Sequence, residues 1–194
     1  MKLPSQNKIK PLDAAIAIVN IFDSGMYYFY SKNYKDAIKE FNSLIKISEY
    51  SKFFMLDDIW INEPIHLQCE FIKTISNDSI RFRAKFIKGI ACAKENRFEE
   101  FWKDYNYLNG GEVEYPFEYI HLMRGFYFDQ EGLLPKSLHS IKRSISYDHE
   151  VLEKERFLLD HLSFGVKNIL IGCLKLSNKD SKIKFISDAI SENI

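Results

Sequence analysis

Three glycines, Gly25, Gly89 and Gly125, open the same pattern of residues. After Gly25 come Tyr28 at +3, Tyr34 at +9, Ala37 at +12 and Phe41 at +16. After Gly89 come Cys92, Phe98, Phe101 and Tyr105 at the same offsets, with Leu108 at +19. After Gly125 the same slots hold Phe128, Leu134, Ser137, Ile141 and Ser144. Gly89 and Gly125 are 36 residues apart, and Gly25 lies 64 before Gly89, close to two periods of about 34. The pattern is a repeat.

Helix geometry gives the offsets a meaning. A small residue lets a second helix approach the first closely, and the +3 residue lies one turn further along the same face. A polar turn follows, at Ser31 to Asn33, around Asn96, and at Gly132. The +9 residue anchors the second helix, and +12, +16 and +19 form its inward stripe. Pro135 sits at a helix start, where a missing N–H costs little. The spacing therefore predicts three antiparallel helix hairpins, over 19–48, 83–110 and 119–148, within a single domain spanning 1–194.

The same slots resemble the tetratricopeptide repeat family, whose helix–turn–helix units stack into a curved α–α superhelix. Gly25, Tyr28, Tyr34, Ala37 and Phe41 match best. The family's tryptophan slot holds Ile21, Lys85 and His121, and its leucine slot before the glycine holds Ser24, Lys88 and Arg124. Residues 53–75 and 149–192 read as helices that have lost the template. An N-cap is expected at Asn77-Asp78-Ser79, a break at Asn109-Gly110-Gly111 and a helix start at Pro116. One long helix is expected from about Asp148 to Leu176, then a turn at Ser177-Asn178 and a capping helix to about Ser191.

The resemblance implies a concave face that binds a segment of a partner protein. Carried over slot by slot, its lining is Val19, Phe22, Met26, Phe29 and Tyr30 in the first unit. In the second it is Arg83, Phe86, Ile90, Ala93 and Lys94, and in the third Tyr119, Leu122, Phe126, Asp129 and Gln130. The central positions are apolar, so the expected groove suits an apolar or amphipathic segment rather than a terminal carboxylate.

Composition narrows the alternatives. Aromatic residues make up 15% of the chain, while only 8 Gly and 5 Pro occur, which favours long helices over a turn-rich sandwich. Lys plus Arg and Asp plus Glu both number 27, so no net field draws nucleic acid or anionic lipid. A basic run with interleaved rings, Arg81, Arg83, Lys85 and Lys88 with Phe82 and Phe86, is the best site for nucleic acid. Its rings are nonetheless spaced as a core stripe. The uncharged runs are too short for a membrane span, and Asp13 and Asn20 interrupt the N-terminal apolar run, against a signal peptide.

The cysteines, Cys69, Cys92 and Cys173, lie far apart in apolar runs, as buried thiols of a reducing cytosol do. His66, His121, His139, His149 and His161 show no metal-ligand spacing, so no metal or cofactor is expected. The carboxylate pairs Asp57-Asp58 and Glu99-Glu100 point in different directions on a helix, and no nucleophile or phosphate-loop motif appears. The expectation is a non-enzymatic cytoplasmic chaperone or adaptor. An immunity-like protein acting through its outer surface and a nucleic-acid-binding repeat are the alternatives, and an apolar groove also leaves room for a homodimer.

Overall fold

The computed structural model describes residues 11–50, 77–110 and 116–193. Every regular element among them is helical, as the spacing predicts. The segment expected at 53–75, with Asp57-Asp58, His66 and Cys69, lies outside the described residues. The chain divides between Ala84 and Lys85 into two compact units.

In the first unit, α1 (Pro11–Tyr30) and α2 (Tyr34–Tyr50) form a hairpin. A Cβ on Gly25 would lie 2.8 Å from the Phe41 ring, so glycine is what lets α2 seat its +16 ring against α1. Phe22 meets Phe41 edge-on at 6.0 Å, and Phe29 meets Tyr34 at 5.8 Å. Ala37, Phe41 and Leu44, the inward stripe of α2, are fully buried.

Across the boundary runs α3 (Asn77–Lys94), followed by α4 (Phe98–Gly110), α5 (Phe117–Gln130) and α6 (Leu134–Tyr147). The third hairpin copies the first. A Cβ on Gly125 would come within 2.6 Å of Ile141 Cγ1, the +16 residue again. Ser137, in the slot of Ala37, donates its hydroxyl proton to the Gly125 carbonyl at 2.9 Å. A hydroxyl fits a buried slot there because the close approach brings it an acceptor. In the second hairpin the glycine serves a neighbour instead: a Cβ on Gly89 would strike the end of Met123, on α5.

The turns carry the repeat most clearly. Lys32, Asn96 and Gly132, all at +7, adopt positive φ of 60°, 56° and 71°. Around each, the same bonds form. Asn33, Arg97 and Leu133 donate their N–H to the carbonyls of Tyr28, Cys92 and Phe128, at 2.9, 2.8 and 2.9 Å. Lys32, Asn96 and Gly132 donate to Phe29, Ala93 and Asp129, at 3.0, 3.1 and 3.0 Å. These are the paired bonds of a helix ending on a left-handed residue, and they satisfy the orphan carbonyls of the last turn. The next helix begins two residues later in all three copies.

Neighbouring hairpins of the second unit interlock at the repeat spacing. Phe86 of α3 meets Tyr119 of α5 at 5.2 Å, and Phe98 and Phe101 of α4 meet Tyr127 at 5.3 and 5.0 Å. Lys94 hydrogen-bonds Gln130, 36 residues on, and Gln130 bonds Asn96, 34 residues back.

The single long helix expected from Asp148 to Leu176 is not formed. The chain makes α7 (Val151–Lys154), a 3₁₀ helix (Arg156–His161) and α8 (Phe164–Cys173). The cause is tertiary. Asp129 accepts the Ser163 N–H at 2.8 Å and also its hydroxyl, which holds the chain extended at Leu162 and starts α8 afresh. Beyond it, α9 (Lys179–Glu192) packs on α6, with Asn178 as its N-cap accepting from Ser181 N–H at 2.8 Å. That capping helix matches the sequence expectation.

Candidate functional site

The expected groove residues divide by burial. Phe29, Phe86, Ile90, Leu122 and Phe126 are core side chains, each no more than 1% exposed. These slots are filled rather than open, and within the second unit the second and third hairpins meet through contacts such as Phe86 with Tyr119. Val19, Phe22, Met26, Arg83 and Tyr119 are half-buried, and Tyr30 is exposed. Ala93 is buried as well.

The polar residues among these slots join helices of the second unit. Lys94 Nζ lies 3.6 Å from the buried Asp129 carboxylate, which also binds Ser163. Lys94, Asp129 and Ser163 thus tie the ends of α3 and α5 to the start of α8. Among the described residues, no group of His, Cys, Asp and Glu is arranged to hold a metal ion. Burial pushes the Cys92 thiol up to about 12 and the Cys173 thiol up to about 11, so both are protonated and unreactive at neutral pH.

The basic run of α3 turns inward. Arg81, Lys85 and Lys88 are buried, and the two lysines face Asp104 of α4 at 3.7 and 2.9 Å. Lys85 also lies over the Tyr107 ring at 4.0 Å. In template terms, cations at −4 and −1 are answered by a carboxylate at +15. Burial still raises the Asp104 carboxyl above its ordinary range, although the Lys88 and Lys85 charges and the Lys88 hydrogen bond pull it down.

The same slots of the third hairpin hold different chemistry. There −4 and −1 are His121 and Arg124, while +15 is Ser140. Beside them opens a cavity of about 500 Å³ within the second unit. Its charged and titratable lining is His121 and Arg124 from α5 with Lys136, His139 and Arg143 from α6. Phe128, Pro135 and Ile190 supply apolar surface, and among the described residues no carboxylate lines it. Arg124 and Lys136 flank the Phe128 ring at 5.3 and 5.8 Å. Arg124 Nε is buried and has no hydrogen-bond partner among the described residues. The His121 imidazole is held below its ordinary value by burial first, then by the Arg143, Arg124 and His139 charges. It stacks on Tyr147 at 5.5 Å, and Tyr147 meets Phe117 at 5.4 Å.

A second cavity, of about 430 Å³ near α7 and α9, makes the contrast plain. Its lining mixes Glu150 and Glu153 with Lys154, Lys175 and Lys182. The buried Lys182 bonds the His149 carbonyl at 2.8 Å and the Glu153 carboxylate.

The sequence reading missed the cationic cavity because whole-chain charge sums to zero. Its signal was nonetheless present, as His121 and Arg124 occupy slots that hold tryptophan and leucine in the tetratricopeptide pattern the sequence resembles. No family model, curated protein or solved structure matches the chain. No described helix is long and apolar enough to cross a membrane.

Proposed function

We propose that this chain is a non-enzymatic helical-repeat module of the tetratricopeptide type. It binds a segment of a partner protein as a small cytosolic chaperone or adaptor. The supporting observation is the turn built three times at +7, with the same bonds and the same following helix start. Repeats of this kind bury a continuous core between neighbours and leave extended faces for partners.

The burial of Phe86, Ile90, Leu122 and Phe126 favours a second version, in which the partner meets an outer surface, as an immunity-like protein would require. Exposed rings are available there: Phe164 is 81% exposed, Tyr27 69% and Tyr147 52%.

The test is capture of partners from the native cell, with wild type beside Phe164→Asp, Tyr27→Asp and Met26→Asp. One protein recovered stoichiometrically and lost with Phe164→Asp or Tyr27→Asp supports the outer-surface version. Loss with Met26→Asp alone supports the groove. Recovery of nucleic acid without protein contradicts both.

A further inference from the structure

We infer that the cavity between α5, α6 and α9 is a binding site for a phosphate-type polyanion, a di- or triphosphate. The internal comparison of the hairpins carries the inference. In the second hairpin, Lys85 and Lys88 are neutralised in place by Asp104. In the third, the equivalent His121 and Arg124 face Ser140, and Glu100 of the second hairpin is matched by Lys136. Two carboxylate positions have thus become a hydroxyl and an ammonium, and Arg143 is added where Tyr107 stands. Among the described residues, no ion pair involves Arg124, Lys136 or Arg143.

Cations gathered in one recess repel each other and raise the local potential for anions. The Arg124 Nε–H is a buried donor with no acceptor among the described residues, a group whose desolvation an incoming oxyanion would offset. Two guanidinium groups favour phosphate geometry, because their forked donors bond it in pairs. The volume of about 500 Å³ exceeds what a single phosphate fills and lies in the range of small-molecule sites. Beside it, Tyr147 and Phe117 are 52% and 49% exposed and continue from His121 as a ring ledge. That ledge lets a nucleotide base rest where a free polyphosphate has nothing to place.

Calorimetry on the full chain in low salt, with tripolyphosphate, ATP, citrate and an acidic peptide, tests the site. Both polyphosphates are expected to bind and citrate to bind at least tenfold more weakly. Arg124→Gln and Arg143→Gln each reduce affinity about tenfold or more. Ser140→Asp restores the carboxylate found in the second hairpin. It is expected to fold with an equal or higher thermal midpoint and to lose the binding. ATP tighter than tripolyphosphate, with the excess removed by Tyr147→Ala, identifies a nucleotide; equal affinity identifies free polyphosphate. The inference is overturned if neither polyphosphate binds, if citrate or the peptide binds as tightly, or if Ser140→Asp binds unchanged.

Discussion

Gly125→Ala tests the close approach that defines each hairpin. The new methyl would sit 2.6 Å from Ile141 Cγ1 and 3.2 Å from its Cδ1, with the Ser137 carbonyl at 3.5 Å. Ile141 is fully buried, and Cγ1 lies mid-chain, so it cannot swing aside as a chain end could. Overpacking of this kind costs about 1–3 kcal/mol, while replacing a helical glycine with alanine returns roughly 0.5–1 kcal/mol. The net expectation is a loss of about 1–2 kcal/mol in urea unfolding at unchanged slope.

A double-mutant cycle separates the clash from other causes. Ile141→Ala alone leaves a void and costs about 2–5 kcal/mol. In the Gly125→Ala background the added methyl fills part of that void and the clash is gone. The double variant is therefore less damaged than the sum by about 0.5–3 kcal/mol. Ile141→Val keeps Cγ1 and should relieve little. Additive effects of Gly125→Ala and Ile141→Ala, or full relief by valine, would refute the reasoning.

Three further outcomes are expected. At the turns, Gly132→Ala should cost about 1 kcal/mol, because left-handed backbone strains an L-residue, and Lys32→Gly should stabilise by a few tenths or more, since φ is positive at both; urea midpoints check the opposite signs. Asp104→Ala removes the carboxylate that two buried lysines share and should cost about 3–5 kcal/mol in the same assay. The His121 value lies below 6.5 in the folded protein, so the unfolded chain takes up that proton first as pH falls. Its contribution is full above 6.5 and lost as pH drops through the folded value; wild type should lose more stability than His121→Gln between about pH 7.5 and pH 5, and tripolyphosphate should shrink the difference.

The sequence revealed what depends on neighbours along the chain. The helix pairs, the turn positions and the capping helix all follow from offsets of fewer than twenty residues. Across longer distances it revealed less. The break at Leu162 is held by Asp129 reaching Ser163, 34 residues on, a partner that the residues of 148–176 do not name. Phe86 and Leu122 look alike whether they line a groove or fill a core, and packing decides for the core. The cationic cavity lay hidden behind a balanced total, although comparing −4, −1 and +15 between hairpins exposes the missing carboxylate.

The most direct test of the threefold hairpin is the backbone angle at its turns, measured by NMR scalar couplings and chemical shifts. Positive φ at Lys32, Asn96 and Gly132 alike is the expected result. Helical or extended negative angles at Lys32 and Asn96 would mean that the three glycines do not begin copies of one structure.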